Sequence, residues 1–233
     1  MQYSNPYIES CLEGSSTVFK GLIQKDKETI AKHHTLSVIK KGEYLFKEGE
    51  KPRGMIWLAS GKIKVFKVGV GRREQILKLI RQDEFTGYRA LFSEYTWSVS
   101  GIAIEDSVIC IFEKNSLSNI LKKNGSIALK FIKLATEELD FSNNRLVSLT
   151  QKHVRGRLAE SLLLMADKFG FENDGKTIAV SLSREDIAHL SSMTTSNAIR
   201  TLSNLASEGI IKIKGRKISI TELTRLEHIS ELS

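Results

Sequence analysis

Residues Ser183–Ile220 read SREDIAHLSSMTTSNAIRTLSNLASEGIIKIKGRKISI, and the fold of the C-terminal part turns on them. Ser183 is placed to cap a short helix, with Asp186 at the position where a capping box usually carries Glu. Ile187, Ala188 and Leu190 give that helix one apolar face. Ser191-Ser192-Met193 break it. Thr194 is placed to cap a second helix, in which Ala198, Ile199, Leu202 and Leu205 recur at helical spacing and which Gly209 stops. Ile210 to Lys214, Gly215-Arg216 and Lys217 to Ile220 then alternate apolar and polar residues around a glycine turn, the pattern of a β-hairpin. Helix, tight turn, helix and basic hairpin, in that order, describe a winged helix-turn-helix whose second helix enters the DNA major groove.

The exposed side of that second helix has suitable chemistry. Arg200 can bond a guanine edge in bidentate fashion, and Asn197 can do the same with adenine. Arg200 is the first candidate for base readout, with Asn197, Ser196 and Thr195 next, while the hydroxyls there, that of Thr194 included, and the helix N-terminus suit phosphates. Ser183 and Arg184 on the first helix, and Lys212, Lys214, Arg216 and Lys217 in the hairpin, are further phosphate candidates, with Arg216 at the tip the best placed.

Upstream, Val154 to Lys168 reads as an amphipathic helix on Val154, Leu158, Leu162 and Met165. An Asn173-Asp174-Gly175 turn follows it, and Thr177–Leu182 reads as a short strand. Ser126 to Thr150 is more informative. Ala128, Ile132, Ala135, Leu139, Ser142, Leu146 and Leu149 step alternately by four and three, a heptad seam that predicts pairing with another helix. A second stripe, Ile127, Phe131, Leu134 and Phe141, predicts packing on the preceding domain. Two apolar stripes imply two partners. A parallel pair of such helices makes a symmetric homodimer and predicts a roughly palindromic DNA site.

Residues Pro6 to His34 look helical. From Thr35 to Phe112, short β-rich runs lie between glycine turns: Leu36–Ile39, Tyr44–Phe46, Met55–Ala59, Ile63–Phe66, Glu74–Ile80, Ser98–Ile104 and Ser107–Phe112. Their spacing predicts a small antiparallel barrel or jelly roll. Asn115–Lys123 reads as a short helix, Gln151-Lys152-His153 as a hinge, and Glu222–Ser233 as a terminal helix. The fold class expected is α+β. It comprises an N-terminal antiparallel β-barrel over residues 1–124, a long dimerisation helix and hinge over 125–151, and a winged helix-turn-helix over 152–233.

Composition fits this plan. The chain has 233 residues, 41% of them hydrophobic, and a net charge of +8 that favours a polyanionic partner. No run of about eighteen apolar residues predicts a membrane span. The N-terminus lacks the basic start and apolar core of a secretory signal, so the cytoplasm is expected. Cys11 and Cys110 suggest neither a disulfide framework nor a zinc site. No Ser/His/Asp set, P-loop or metal-ligand cluster marks an enzyme, and His33, His34, His153, His189 and His228 occupy no recognisable ligand setting. No cofactor and no metal are expected.

Barrel, long helix and winged helix in this order resemble the CRP/FNR family of bacterial transcription regulators. Lys41-Gly42-Glu43-Tyr44-Leu45-Phe46-Lys47-Glu48-Gly49-Glu50, Leu58-Ala59-Ser60-Gly61-Lys62-Ile63, Asp83-Glu84-Phe85-Thr86-Gly87, Leu91-Phe92 and Gly156-Arg157-Leu158-Ala159 carry the resemblance, together with the helix-turn-helix. It implies a cyclic-nucleotide-type sensor joined to a DNA-binding domain in a dimer that contacts RNA polymerase. Where the family's cyclic-AMP binders have Gly-Glu-Leu, this chain has Gly87-Tyr88-Arg89. The family's phosphate-binding Arg falls near Trp97-Ser98, and its adenine-contacting hydroxyls near Arg145-Leu146. The resemblance therefore implies a pocket near Gly87, Tyr88, Arg89, Trp97, Ser98 and Arg145 for a small effector other than cyclic AMP, with Arg89 or Arg145 as its cation. Two cysteines cannot hold the iron–sulfur cluster of the oxygen-sensing branch. The alternatives are a sensor whose output is a protein contact, and a constitutive DNA binder whose barrel is a scaffold. On the recognition helix the family's usual Glu and first Arg appear as Ser196 and Thr195, while its second Arg matches Arg200. The operator sequence does not carry over.

Overall fold

The structure is a computed structural model describing residues 5–14, 17–88, 92 and 96–231. The first helices are α1 (Pro6–Glu13) and α2 (Gln24–Lys32), so the expected single helical stretch is two short helices. The strands follow as β1 (His34–Ile39), β2 (Tyr44–Phe46), β3 (Gly54–Ser60), β4 (Ile63–Val68), β5 (Glu74–Ile80), β6 (Phe85–Thr86), β7 (Ser100–Ala103) and β8 (Ser107–Glu113). They form two four-stranded sheets, in the orders β1-β8-β3-β6 and β2-β7-β4-β5.

Pleating sorts the side chains of β3 and β8 into two cores. Ile56, Leu58 and Ile109 turn inward, to meet Phe46, Ile63, Val65 and Ile80 of the opposing sheet. Met55, Trp57, Ala59, Cys110 and Phe112 turn outward, against α1, α2 and the helices after the barrel. Those are α3 (Lys114–Lys123) and the long α4 (Gly125–Gln151). An aromatic cluster sits in this outer core, with Phe19 edge-on to Phe85 at 5.6 Å and to Phe112 at 5.5 Å.

The stripe of α4 expected to pack on the barrel does so only in part, for Phe141 falls in the C-terminal unit. Ile127 and Phe131 are fully buried in the outer core, and Leu134 packs against it. On the seam side Ile132 is 56% exposed, Leu139 58% and Leu146 63%. Ala135 and Ser142 are exposed as well, while Ala128 and Leu149 are half-buried.

The C-terminal elements are α5 (Val154–Phe169), α6 (Arg184–Leu190), α7 (Thr195–Ser207), β9 (Ile211–Lys214), β10 (Lys217–Ile220) and α8 (Leu223–Glu231). Thr177–Leu182 is not a continuous strand. It pairs only through isolated bridges, Phe171 with Ile178 and Thr177 with Ser219. The chain divides into two compact units, one within Met1–Lys67 and Lys78–Asp140, the other within Val68–Leu77 and Phe141–Ser233. The division falls inside α4 rather than at its ends. Phe131 belongs to the barrel-side core, whereas the Leu149 carbonyl accepts from Arg157 of α5 at 3.1 Å.

Cys11 and Cys110 are free thiols at 1% and 0% exposure in the outer core. Burial raises both, Cys110 to about 12, so neither forms a thiolate near neutral pH. A thiol-alkylating reagent at pH 7 is expected to label neither cysteine in the folded protein and both after denaturation, as read by mass spectrometry.

Candidate nucleic-acid interface

Helix α6 begins with a complete capping box. The Ser183 hydroxyl accepts from the Asp186 amide at 2.9 Å, and the Asp186 carboxylate accepts from the Ser183 amide at 3.3 Å. Such a cap contributes about 1 kcal/mol. Ile187, Ala188 and Leu190 are buried beneath it. In the turn that follows, Ser192 has a φ of 51°, a left-handed conformation that tightens the corner. Thr194 caps α7, accepting from the Asn197 amide at 3.3 Å.

Helix α7 buries Ala198, Thr201, Leu202 and Leu205. Its opposite face exposes Ser196, Ile199, Arg200, Ser203, Asn204 and Ser207, the row made by steps of three and four. Arg200 is exposed and donates to the Asn197 side-chain oxygen at 2.8 Å, which brings the two candidate base readers together. Thr195 is half-buried beside Ser196. Ile199, expected with the core residues, is 48% exposed, because the core face runs through Ala198 and Leu202 and leaves Ile199 beside Arg200. Ser203 and Asn204 were not singled out from the sequence, although adding three and four to Arg200 reaches them. At the far end Glu208 pairs with Arg155 of α5 through two bonds of 2.5 and 2.6 Å. That guanidinium holds the Glu208 carboxyl below the usual carboxylate range, so this acid is engaged away from the exposed row.

The hairpin β9–β10 turns through Gly215, whose φ of 61° suits glycine at the first central position of a two-residue turn. Arg184 donates to the Gly215 carbonyl at 2.8 Å and ties α6 to the hairpin tip. Lys217 pairs with Glu172 at 2.7 Å. Arg216, Lys212 and Lys214 are exposed. The Asp174 turn supports the hairpin from behind. Asp174 accepts from the Thr177 hydroxyl at 2.5 Å and from the amides of Lys176 and Thr177, and the Thr177 hydroxyl meets that of Ser219 at 2.7 Å.

The residues expected around an effector do not converge. Trp97 lines a cavity of about 220 Å³ inside the barrel, with Ile39, Leu45, Phe46, Ile56 and Ile109. Its indole stacks on Phe46 at 4.0 Å. Gly87 has a φ of 82°, and a Cβ there would stand 2.6 Å from the Trp97 ring, so only glycine fits. Tyr88 belongs to the outer core instead, with Lys78 over its ring at 5.6 Å. Ser98 is exposed, and its carbonyl accepts from Lys67 at 2.8 Å. Arg145 is buried among the C-terminal helices, bonded to the Leu190 carbonyl and paired with Glu160. Arg89 lies outside the described residues. Among the described residues no group of three or more His, Cys, Asp and Glu is arranged to hold a metal ion, and no helix is long and apolar enough to cross a membrane.

Residues 36–124 match the family described as the cyclic nucleotide-binding domain, and residues 156–229 match the Crp-like helix-turn-helix domain. The anaerobic regulatory protein of Bacillus subtilis is 25% identical over 177 residues, 75% of this chain and 74% of that protein. The CRP-like cAMP-activated global transcriptional regulator of Mycobacterium tuberculosis is 25% identical over 187 residues, 80% of this chain and 84% of that one. Among solved structures, FixK2 from Bradyrhizobium japonicum matches with a TM-score of 0.77 at 22% identity, covering 86% of this chain and 98% of its own.

The Asp174 bonds carry a pH signature. The Thr177 hydroxyl, then the Thr177 and Lys176 amides, lower its carboxyl from 3.8 to about 2. A carboxyl depressed on folding stabilises above its unfolded pKa, and that contribution is lost as pH falls toward the folded one. Acid unfolding between about pH 4 and pH 2 should therefore be shallower in Asp174→Asn than in the parent, as followed by circular dichroism.

Proposed function

This chain belongs to the CRP/FNR family of transcription regulators, and we propose that it reads a roughly palindromic duplex as a homodimer through paired copies of helix α7. The carrying observation is the exposed row of α7, where Arg200 and Asn197 are joined at 2.8 Å. Arg200 reads a base edge, with Asn197 and Ser196 beside it. Thr194, Thr195, Arg216 and the hairpin lysines meet phosphates. Ser183 and Arg184 support this surface, since one caps α6 and the other holds the hairpin tip. Pairing runs along Ala128, Ile132, Ala135, Leu139, Ser142, Leu146 and Leu149.

The barrel is read as the sensor. One relative is named as cAMP-activated, but cyclic AMP is not the effector proposed here. The lining is mostly apolar and its charge is confined to Glu50, Lys51 and Arg53, and no Arg stands near Thr96-Trp97-Ser98, where the resemblance places the family's phosphate-binding Arg. A cavity of about 220 Å³ is smaller than a typical drug-sized site. It suits a compact, largely apolar molecule. The Trp97–Phe46 stack, which already fills part of the barrel, also favours the constitutive reading.

Selection of bound sites from random DNA, with and without a small-molecule extract of cells, tests all three parts. Symmetric sites support pairing, and extract dependence supports an effector rather than a constitutive binder. Arg200→Ala should lose about 1–3 kcal/mol at the selected site with non-specific binding unchanged, as measured by fluorescence anisotropy. Equal binding of every sequence by parent and variant would refute base readout by Arg200. Leu139→Glu places a charge in the seam, and sedimentation should find single folded chains where the parent is a dimer.

A further inference from the structure

Helix α6 ends at Leu190, and the last carbonyls of a helix have no partner within it. The chain that follows takes up two of them: Ile187 accepts from the Ser191 amide at 3.0 Å and Ala188 from the Met193 amide at 3.0 Å. The Leu190 carbonyl is taken by a residue far back in the sequence. Arg145, near the end of α4, donates to it through Nη2 at 2.7 Å. Arg145 is 8% exposed, and its Nη1 lies 3.3 Å from Glu160 of α5. The other Glu160 oxygen lies 3.2 Å from Lys152. One buried guanidinium therefore joins three helices. Its hydrogen bond goes to the Leu190 carbonyl, the contact with Glu160 is an ion pair rather than a hydrogen bond, and its charge complements the negative end of α6.

We infer that Arg145 is a positioning residue for DNA reading. It anchors the residue before the turn Ser191–Met193, and through that turn it fixes the direction of α7 relative to the last turns of α4. It touches no DNA itself. Since α4 carries the pairing seam, Arg145 sets how far apart the two Arg200 side chains stand and which half-site spacing the dimer accepts. This inference rests on the DNA-binding reading above.

The test compares the parent with Arg145→Met, Arg145→Lys and Glu160→Gln. One measurement is binding to duplexes whose two selected half-sites are separated by spacers of varied length. The other is amide hydrogen exchange over residues 187–194. Arg145→Met should remain dimeric, lose roughly tenfold at the preferred spacing and little at neighbouring ones, so that the optimum flattens. The Ser191 and Met193 amides should exchange faster. Arg145→Lys should restore part of the optimum, because an ammonium keeps the charge and a donor for the Leu190 carbonyl. A uniform loss at every spacing with the optimum intact indicates a stability role only and overturns the proposal, as does a folded Arg145→Met with the parent's spacing profile and exchange. If Arg145→Met does not fold, Glu160→Gln decides: a flattened optimum supports the proposal and an unchanged one overturns it. If the parent selects no sequence at all, the DNA-binding reading fails, and the clamp is judged on amide exchange alone.

Discussion

Phe131 packs within the outer core, its ring 6.2 Å from that of Phe19 and 6.5 Å from that of Phe85, and this contact sets the rotation of the long helix. A helix advances about 100° per residue, so burying Ile127 and Phe131 leaves Ile132, Leu139 and Leu146 on an exposed flank, roughly 80–120° round the axis. Those positions are apolar where a solvated helix would carry charge. Each side chain, more than half exposed in the single chain, would return roughly 1–2 kcal/mol on burial. The barrel thus determines which face of α4 stays exposed.

The C-terminal unit is tied together by polar closures around a modest core. The capping box starts α6, Arg184 holds the hairpin tip, Arg155 holds the end of α7, and Asp174 braces the hairpin through Thr177 and Ser219. Only the Arg155–Glu208 closure is an ion pair; the others are hydrogen bonds to backbone and hydroxyl groups. Their consequence lies more in geometry. They occupy side chains around the rim and leave the Arg200 row of α7 presented on a fixed support.

Much of this was legible in the sequence because the signals are local. The caps at Ser183 and Thr194, the stop at Gly209, the hairpin turn and the two stripes of α4 all follow from periods of 3.6 and 2 and from turn chemistry. Long-range contacts were not legible. Arg145 reads as an effector cation by alignment, whereas it serves a carbonyl 45 residues away. Tyr88 follows Gly87 in sequence but packs in the outer core, whereas Trp97 packs against the inner one. Thr177–Leu182 has a strand-like composition yet finds only isolated bridges, Thr177 with Ser219 and Ile178 with Phe171. Two-residue β6 lacks the length for a periodic signal.

The apolar outer stripe of α4 has a consequence for how the protein responds to its own abundance. If copies pair along this stripe as proposed, mass action drives association as expression rises. Occupancy of a twofold-symmetric promoter element would then grow faster than linearly with the amount of polypeptide at low levels. A modest change in synthesis or degradation would act as a sharp transcriptional threshold, with no signal molecule involved.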